Sequence, residues 1–225
     1  MSILLNIDTS AGTAHVSLSK GSVCIGQLSN PDQKEHASFL QPAIQQLLQS
    51  CGLQMSDLAA VAVVNGPGSY TGLRVGLASA KGICYALGLP LININSLELM
   101  AHAARGHYDQ FKTGEWPLLC PMIDARRMEV YTAVYNEHLK EVIFPQAMIL
   151  DNESFVDILL QHEVLFFGNG AFKMRELTNS ASALFAGDYE TSASLCAMTF
   201  AKFSEQDFAD LAYSEPFYLK EFFDK

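Results

Sequence analysis

Apolar and polar positions fall in the same order twice along this chain. A short apolar run, Ile3-Leu4-Leu5-Asn6-Ile7, ends at Asp8-Thr9-Ser10. Residues 14–19 alternate and predict its hairpin mate, with Lys20-Gly21 as a turn and 23–28 as a third strand. Between 36 and 51 the period changes, and Leu40, Ile44, Leu47, Leu48 and Cys51 share one helical face. Pro42 belongs in the first turn of that helix or kinks it, and Gly52 stops it. A buried strand at 59–64 leads through a glycine-rich turn into a helix over 71–87, closed by Gly88 and Pro90. A strand at 91–94 follows, and Ser96 is expected to cap a helix through 104.

Residues 105–117 mix charges with glycine and read as a linker. The pattern then restarts. Strands are predicted at 119–124 and 130–135, separated by Ala125-Arg126-Arg127, then a helix at 154–162 and a strand at 164–167 ending at Gly168-Asn169-Gly170. A helix at 194–203 precedes the tail. Both halves open with an apolar strand, an aspartate, a tight turn and an alternating strand. Asp8 and Asp124 occupy matching places. This predicts a duplicated α/β unit in two lobes, 1–104 and 105–225.

Composition narrows the possibilities. Hydrophobic residues are 49% and charged residues 17% of 225, which suits a packed domain and excludes a disordered chain. No apolar run reaches the roughly 18 residues of a membrane span. The five cysteines, Cys24, Cys51, Cys84, Cys120 and Cys196, are scattered, an odd number without a CxxC. That usage predicts free thiols and a cytoplasmic setting. The net charge of −10 is uneven, since residues 151–225 alone carry 13 acids and 5 bases, or −8. A protein that grips nucleic acid by itself needs a positive footprint, and none is visible.

Four strings could carry chemistry. Asp8-Thr9-Ser10 is either a phosphate-cradling hairpin or a capped turn whose side chains bond local N–H groups. Gly66-Pro67-Gly68-Ser69-Tyr70-Thr71-Gly72-Leu73-Arg74 joins a strand to a helix. It is either an anion-binding corner or a tight turn with glycines where side chains would clash, and it lacks the lysine of a P-loop. Asp124-Ala125-Arg126-Arg127 is either an anion or partner-carboxylate site or a local ion-pair cluster. In the helix at 71–87, a second face of Val75, Ala78, Ser79, Gly82 and Ala86 is made of small residues. Glycines there cost about 1 kcal/mol each, so close packing against the other lobe or another subunit is implied. The six histidines contain no i,i+4 pair for a metal.

Taken in order, Ile3 to Ser10, Lys34-Glu35-His36, Gly66 to Arg74, Asp124 to Tyr131 and Glu215-Pro216-Phe217-Tyr218-Leu219-Lys220 resemble the TsaB (YeaZ) family. Lys220 stands where arginine is common and Met128 where glycine is frequent. The resemblance implies an α/β, actin-like (ASKHA, ribonuclease H-like) fold of two related lobes. It implies a non-catalytic subunit without a cofactor, paired with a TsaD-like catalytic paralogue and joined by a TsaE-like ATPase, in making N6-threonylcarbamoyladenosine on tRNA. The tRNA would be reached only through that complex. TsaD-like proteins carry two metal-binding histidines in the segment matching Asn95 to Met100. Ser96 and Met100 would stand in their places, and a hydroxyl and a thioether cannot replace two imidazoles. Asp8, Thr9 and Ser10 would be a degenerate phosphate-loop remnant, and Gly168-Asn169-Gly170 a remnant of an adenosine-binding loop. An actin-like ATPase using Asp8 and Asp124, or a degenerate metalloprotease homologue, are the competing readings. A partner surface is expected on the helices at 38–51 and 71–87, formed by Phe39, Ala43, Leu47, Val75, Ala78, Ser79, Gly82 and Ala86, and able to pair two copies when the paralogue is absent.

Overall fold

The computed structural model describes residues 2–107 and 116–220. Most of the linker expected at 105–117 lies outside the described residues. The first half builds β1 (Ile3–Asp8), β2 (Ala14–Lys20), β3 (Val23–Asn30), α1 (His36–Ser50), β4 (Leu58–Gly66), α2 (Tyr70–Leu87), β5 (Leu91–Asn95) and α3 (Ser96–His107). The second builds β6 (Leu118–Asp124), β7 (Glu129–Tyr135), β8 (Glu141–Ile149), α4 (Val156–Leu159), β9 (Val164–Phe167), α5 (Ala171–Leu177), β10 (Ala183–Phe185) and α6 (Ser192–Glu205).

The two sheets have one topology. Their strand orders are β3-β2-β1-β4-β5 and β8-β7-β6-β9-β10. In each, the first three strands are antiparallel neighbours and the last two run parallel to the first. Helices fall at the same three places in both. This is the duplicated α/β architecture that the repeated strand–aspartate–hairpin pattern predicts, and it agrees with the actin-like fold that the family resemblance implies.

Compact packing divides the chain into Met1–Ser96 with Thr191–Phe217, and Leu97–Glu190 with Tyr218–Lys225. The division differs from a single boundary at 104/105 because the third helix of each half belongs to the other unit. In the first unit, Leu5, Ile7, Val16, Leu18, Val61 and Val63 form one face of the sheet and pack on α1 and α2. Strand alternation turns their neighbours to the opposite face, where α6 lies. In the second unit, Cys120, Met122, Val130 and Phe166 pack with residues of α4 and α5, and Leu119, Ala133, Leu165 and Phe167 pack with Leu97, Ala101 and Ala104 of α3.

Of the two places expected for Pro42, the structure has it inside α1, which begins at His36 after a short 3₁₀ turn at Gln33–Glu35. Local expectations fail in two places. The helix expected over 154–162 has only the single turn of α4. Ser96 is the first residue of α3, is buried, and has no hydrogen-bond partner for its Oγ among the described residues, so it is not a side-chain cap.

Candidate functional site

The β1 turn packs directly against the start of α2. Asp8 Oδ1 accepts from the N–H of Ser10 at 2.9 Å and from Ser10 Oγ at 2.7 Å. This is the local Asx arrangement of the bland reading. Thr9, wholly buried, donates from Oγ1 to the carbonyl of Gly72 at 2.7 Å. The approach is so close that a Cβ on Gly72 would stand 2.0 Å from the Thr9 carbonyl oxygen, and one on Gly68 2.3 Å from that of Ser10. These glycines are therefore required by contact with the chain itself. Ser69 completes the corner. Its N–H donates to the Ser10 carbonyl at 2.7 Å, and its Oγ caps α2 by accepting from the N–H of Gly72 at 3.3 Å. The N–H groups of Ser10, Ser69 and Gly72 are thus committed to the protein's own atoms. Thr71 and Arg74 are exposed on the helix that follows, and the Arg74 guanidinium stacks 4.1 Å above the ring of Tyr70.

Two strings far apart in sequence meet at the other end of this loop. The N–H of Phe217 donates to the carbonyl of Asn65 at 2.7 Å. Gly66, at φ +126° ahead of Pro67, leaves room for the Phe217 carbonyl, which a Cβ would approach to 2.6 Å. Glu215 and Pro216 sit in a strap pinned on both sides. Upstream, Lys81 Nζ donates to the carbonyls of Ala212 and Ser214 at 3.1 and 3.0 Å, and Asn93 Nδ2 donates to Ser214 Oγ at 2.8 Å.

The matching corner of the second unit is built around a cation that sequence reading missed. Lys173 of α5 is buried, and its ammonium donates to Asp124 Oδ1 at 2.6 Å and to the Glu129 carbonyl at 2.8 Å. Asp124 also accepts from the N–H of Arg126 at 2.6 Å. Partial burial works to raise the Asp124 carboxyl, but the Lys173 hydrogen bond, the Arg126 N–H and the Lys173 charge outweigh it and hold it below its ordinary value. Glu129 is met by Lys220 at 2.8 Å. The ion pairs of this turn are therefore made by lysines. Arg126 and Arg127 are exposed and both sit at positive φ, 72° and 48°. The only sequence signal for Lys173 was a cation set among Ala171, Phe172 and Met174.

On α3, Met100 lies where the Gly168 turn leaves space, its Cε only 2.5 Å from where a Cβ on Gly168 would stand. Among the described residues, no group of three or more His, Cys, Asp or Glu is placed to hold a metal.

The expected partner surface divides. Ala43 and Leu47 are 3% exposed and belong to the core beneath α1, so they cannot line an outer surface. The helix turns them inward because α1 buries a stripe wide enough to take in both i+3 and i+4 neighbours of Leu40 and Ile44. Phe39 and Val75 are half-buried against the same core. On α2, Ala78, Gly82 and Ala86 are exposed, Ser79 is half-exposed, and Tyr85 beside them is 84% exposed.

Comparison with known proteins agrees with this geometry. The family model for TsaD, tRNA N6-adenosine threonylcarbamoyltransferase, matches residues 30–219. The tRNA threonylcarbamoyladenosine biosynthesis protein TsaB of Bacillus subtilis is 34% identical over 74% of this chain and 70% of its own length. That of Escherichia coli is 37% identical over 46% of this chain and 42% of its own. The solved structure of YeaZ from Pseudomonas aeruginosa shares the fold, with a TM-score of 0.77 at 21% identity, covering 97% of this chain and all of that one.

Proposed function

The chain belongs to the TsaB (YeaZ) family, and from that premise we propose that it is a non-catalytic subunit of the machinery that forms N6-threonylcarbamoyladenosine on tRNA. In this reading it binds and supports a TsaD-like catalytic paralogue in the cytoplasm, together with a TsaE-like ATPase. The observation that carries the reading is the state of α3. A buried serine and a methionine packed on Gly168 stand where the resemblance sets two metal-binding histidines. Neither offers the imidazole that a borderline metal prefers. The corner at Thr9 and Gly72 supports it further, because Asp8, Thr9 and Ser69 there are bonded to other atoms of the chain.

The proposed contact with the paralogue is the outer face of α2, formed by Val75, Ala78, Ser79, Gly82 and Ala86 with Phe39 of α1 at its margin. Small exposed residues allow a partner helix to approach closely, and the same face would pair two copies when the paralogue is absent. A Cβ on Gly82 meets nothing within 4 Å, so a larger side chain there leaves the fold intact. Size-exclusion chromatography of the chain mixed with its TsaD-like paralogue tests the proposal, with transferase activity as the second readout. The wild-type chain co-elutes and supports activity only in the mixture. Gly82→Arg and Ala78→Arg keep their circular dichroism but no longer co-elute. Transferase activity from this chain alone, or co-elution of both arginine variants, overturns the reading.

A further inference from the structure

Beneath α6 the first sheet presents polar side chains. Leu5, Ile7, Val16 and Leu18 point to α1 and α2, so Asn6, Ser17 and Ser19 face α6. All three are buried. Into this seam α6 inserts Cys196, wholly buried, with its sulfur 3.6 Å from Asn6 Nδ2 and 3.7 Å from Ser17 Oγ. Thr199, also wholly buried, has no hydrogen-bond partner for its Oγ1 among the described residues, and neither does Asn6 for its Oδ1. A helix docked on unsatisfied polar atoms is held less firmly than one docked on hydrocarbon.

The edge strand β3 brings a second thiol to the same seam. Its pairing with β2 contains a bulge, since Leu18 faces Gly26 and Ser19 faces Cys24, leaving Ile25 over. The extra residue reverses the alternation. Gly26 turns toward α1, where its Cβ position is 3.0 Å from both Cys51 Sγ and Leu47 Cδ1. Cys24 turns the other way, beside Ser19, toward α6. Further along, α6 reaches the β2–β3 turn, with the Phe200 ring 3.7 Å from the Cβ position of Gly21. Cys24 is only half-buried, which gives a small reagent access to one sulfur of the two. Burial pushes the Cys196 thiol up to about 11, opposed by the Ser17 hydrogen bond and reinforced by the neighbouring Cys24 sulfur.

We propose that Cys24 and Cys196 are a reversible dithiol–disulfide pair, oxidised by hydroperoxides, that staples α6 to the edge strand β3. The Cys24 thiolate attacks one peroxide oxygen, and with the proton it gave up this yields a sulfenic acid and one water. The Cys196 sulfur then attacks the Cys24 sulfur. The S–O bond breaks, and the departing hydroxide takes the Cys196 proton as a second water. Two thiols and one hydrogen peroxide thus become one disulfide and two waters, and a small-molecule thiol reverses the change by exchange. The remaining cysteines are badly placed for this chemistry. Cys84 and Cys120 are buried away from this seam, the Cys84 sulfur 3.5 Å from the Pro90 carbonyl and the Cys120 sulfur 3.3 Å from Thr132 Oγ1. Cys51 lies on the opposite face of the sheet, beside Gly26 and Leu47.

The test treats the native chain with hydrogen peroxide and maps its disulfides by peptide mass spectrometry, before and after dithiothreitol. The expected product is a peptide pair linked through Cys24 and Cys196 that dithiothreitol releases. Closing so long a loop should raise Tm by about 5 °C or more. Amide exchange in α6 should slow on the order of tenfold. Cys24→Ser, at a half-buried position that serine fits, abolishes all three changes, whereas Cys51→Ser keeps them. Cys24 oxidised to a sulfinic acid with no linked peptide, or a link made through Cys51, overturns the proposal.

Discussion

At the level of single residues, contact rather than composition separates the glycines of α2. Gly72 and Gly82 look alike in sequence, both being helix-weakening residues in the same helix. In the folded chain one touches the Thr9 carbonyl and the other touches nothing. Gly72→Ala is expected to destabilise the protein by about 3 kcal/mol, because neither backbone can yield. Gly82→Ala should stabilise it by up to about 1 kcal/mol through helix propensity alone. Urea unfolding of the two variants measures both, and equal effects would show that the β1 turn does not bear on α2. Sequence could mark Asp8, Thr9 and the glycine-rich loop as special, since their residue types are unusual for strand ends. It could not say whether they held a ligand or each other, because that depends on a contact between residues 63 positions apart. Lys173 was invisible for a similar reason. A lysine in a helix is ordinarily solvated, and only the fold brings it to Asp124 and the Glu129 carbonyl.

At the level of elements, strands with a clean apolar or alternating signal were legible, edge strands β3 and β5 among them, whereas the edge strands of the second sheet were not. β1, β4 and β9 are buried on both faces and read as continuous apolar runs. The edge strand β8 mixes exposed Val142, Phe144 and Ile149 with Pro145 and polar residues, and so gives no period. The edge strand β10 has three residues, and α5 only seven, too short for periodicity to register. The strap at 209–217 has no regular structure, yet it is fastened by the Ala209 N–H to the Leu91 carbonyl, by Lys81 and by Phe217 to Asn65. Lys81 makes two charge-assisted bonds to its carbonyls. Lys81→Met should therefore speed hydrogen exchange of the Phe217 and Ser214 amides on the order of tenfold, leaving β1 and β4 unchanged. Unchanged exchange in the strap would mean that the backbone bonds alone hold it. A uniform rise across the sheet would mean that the lysine supports the whole unit.

At the level of the molecule, duplication and charge pull the functional reading the same way. Two sheets of one topology, with the third helix of each half packed into the other unit, make the fold dependent on the chain as a whole. Among the described residues, no helix is long and apolar enough to cross a membrane. The net charge of −10 sets how such a protein meets tRNA. Binding to a polyanion draws its free energy largely from counterions released by lysine and arginine, and each phosphate neutralised steepens the salt dependence. Here 14 bases face 24 acids, and several of the bases are already engaged, Lys173 by Asp124, Lys202 by Asp207 and Lys220 by Glu129. The exposed pair Arg126 and Arg127 could contact one or two phosphates, which supports only weak, salt-sensitive attraction. The isolated chain is accordingly expected to bind tRNA with a Kd weaker than about 1 μM at physiological salt, in the range of non-specific association. An electrophoretic mobility shift at about 0.15 M salt measures this. Sub-micromolar binding by the chain alone, persisting as salt is raised, would require a basic or aromatic surface at odds with this charge balance, and would overturn the expectation that tRNA is reached only through a partner.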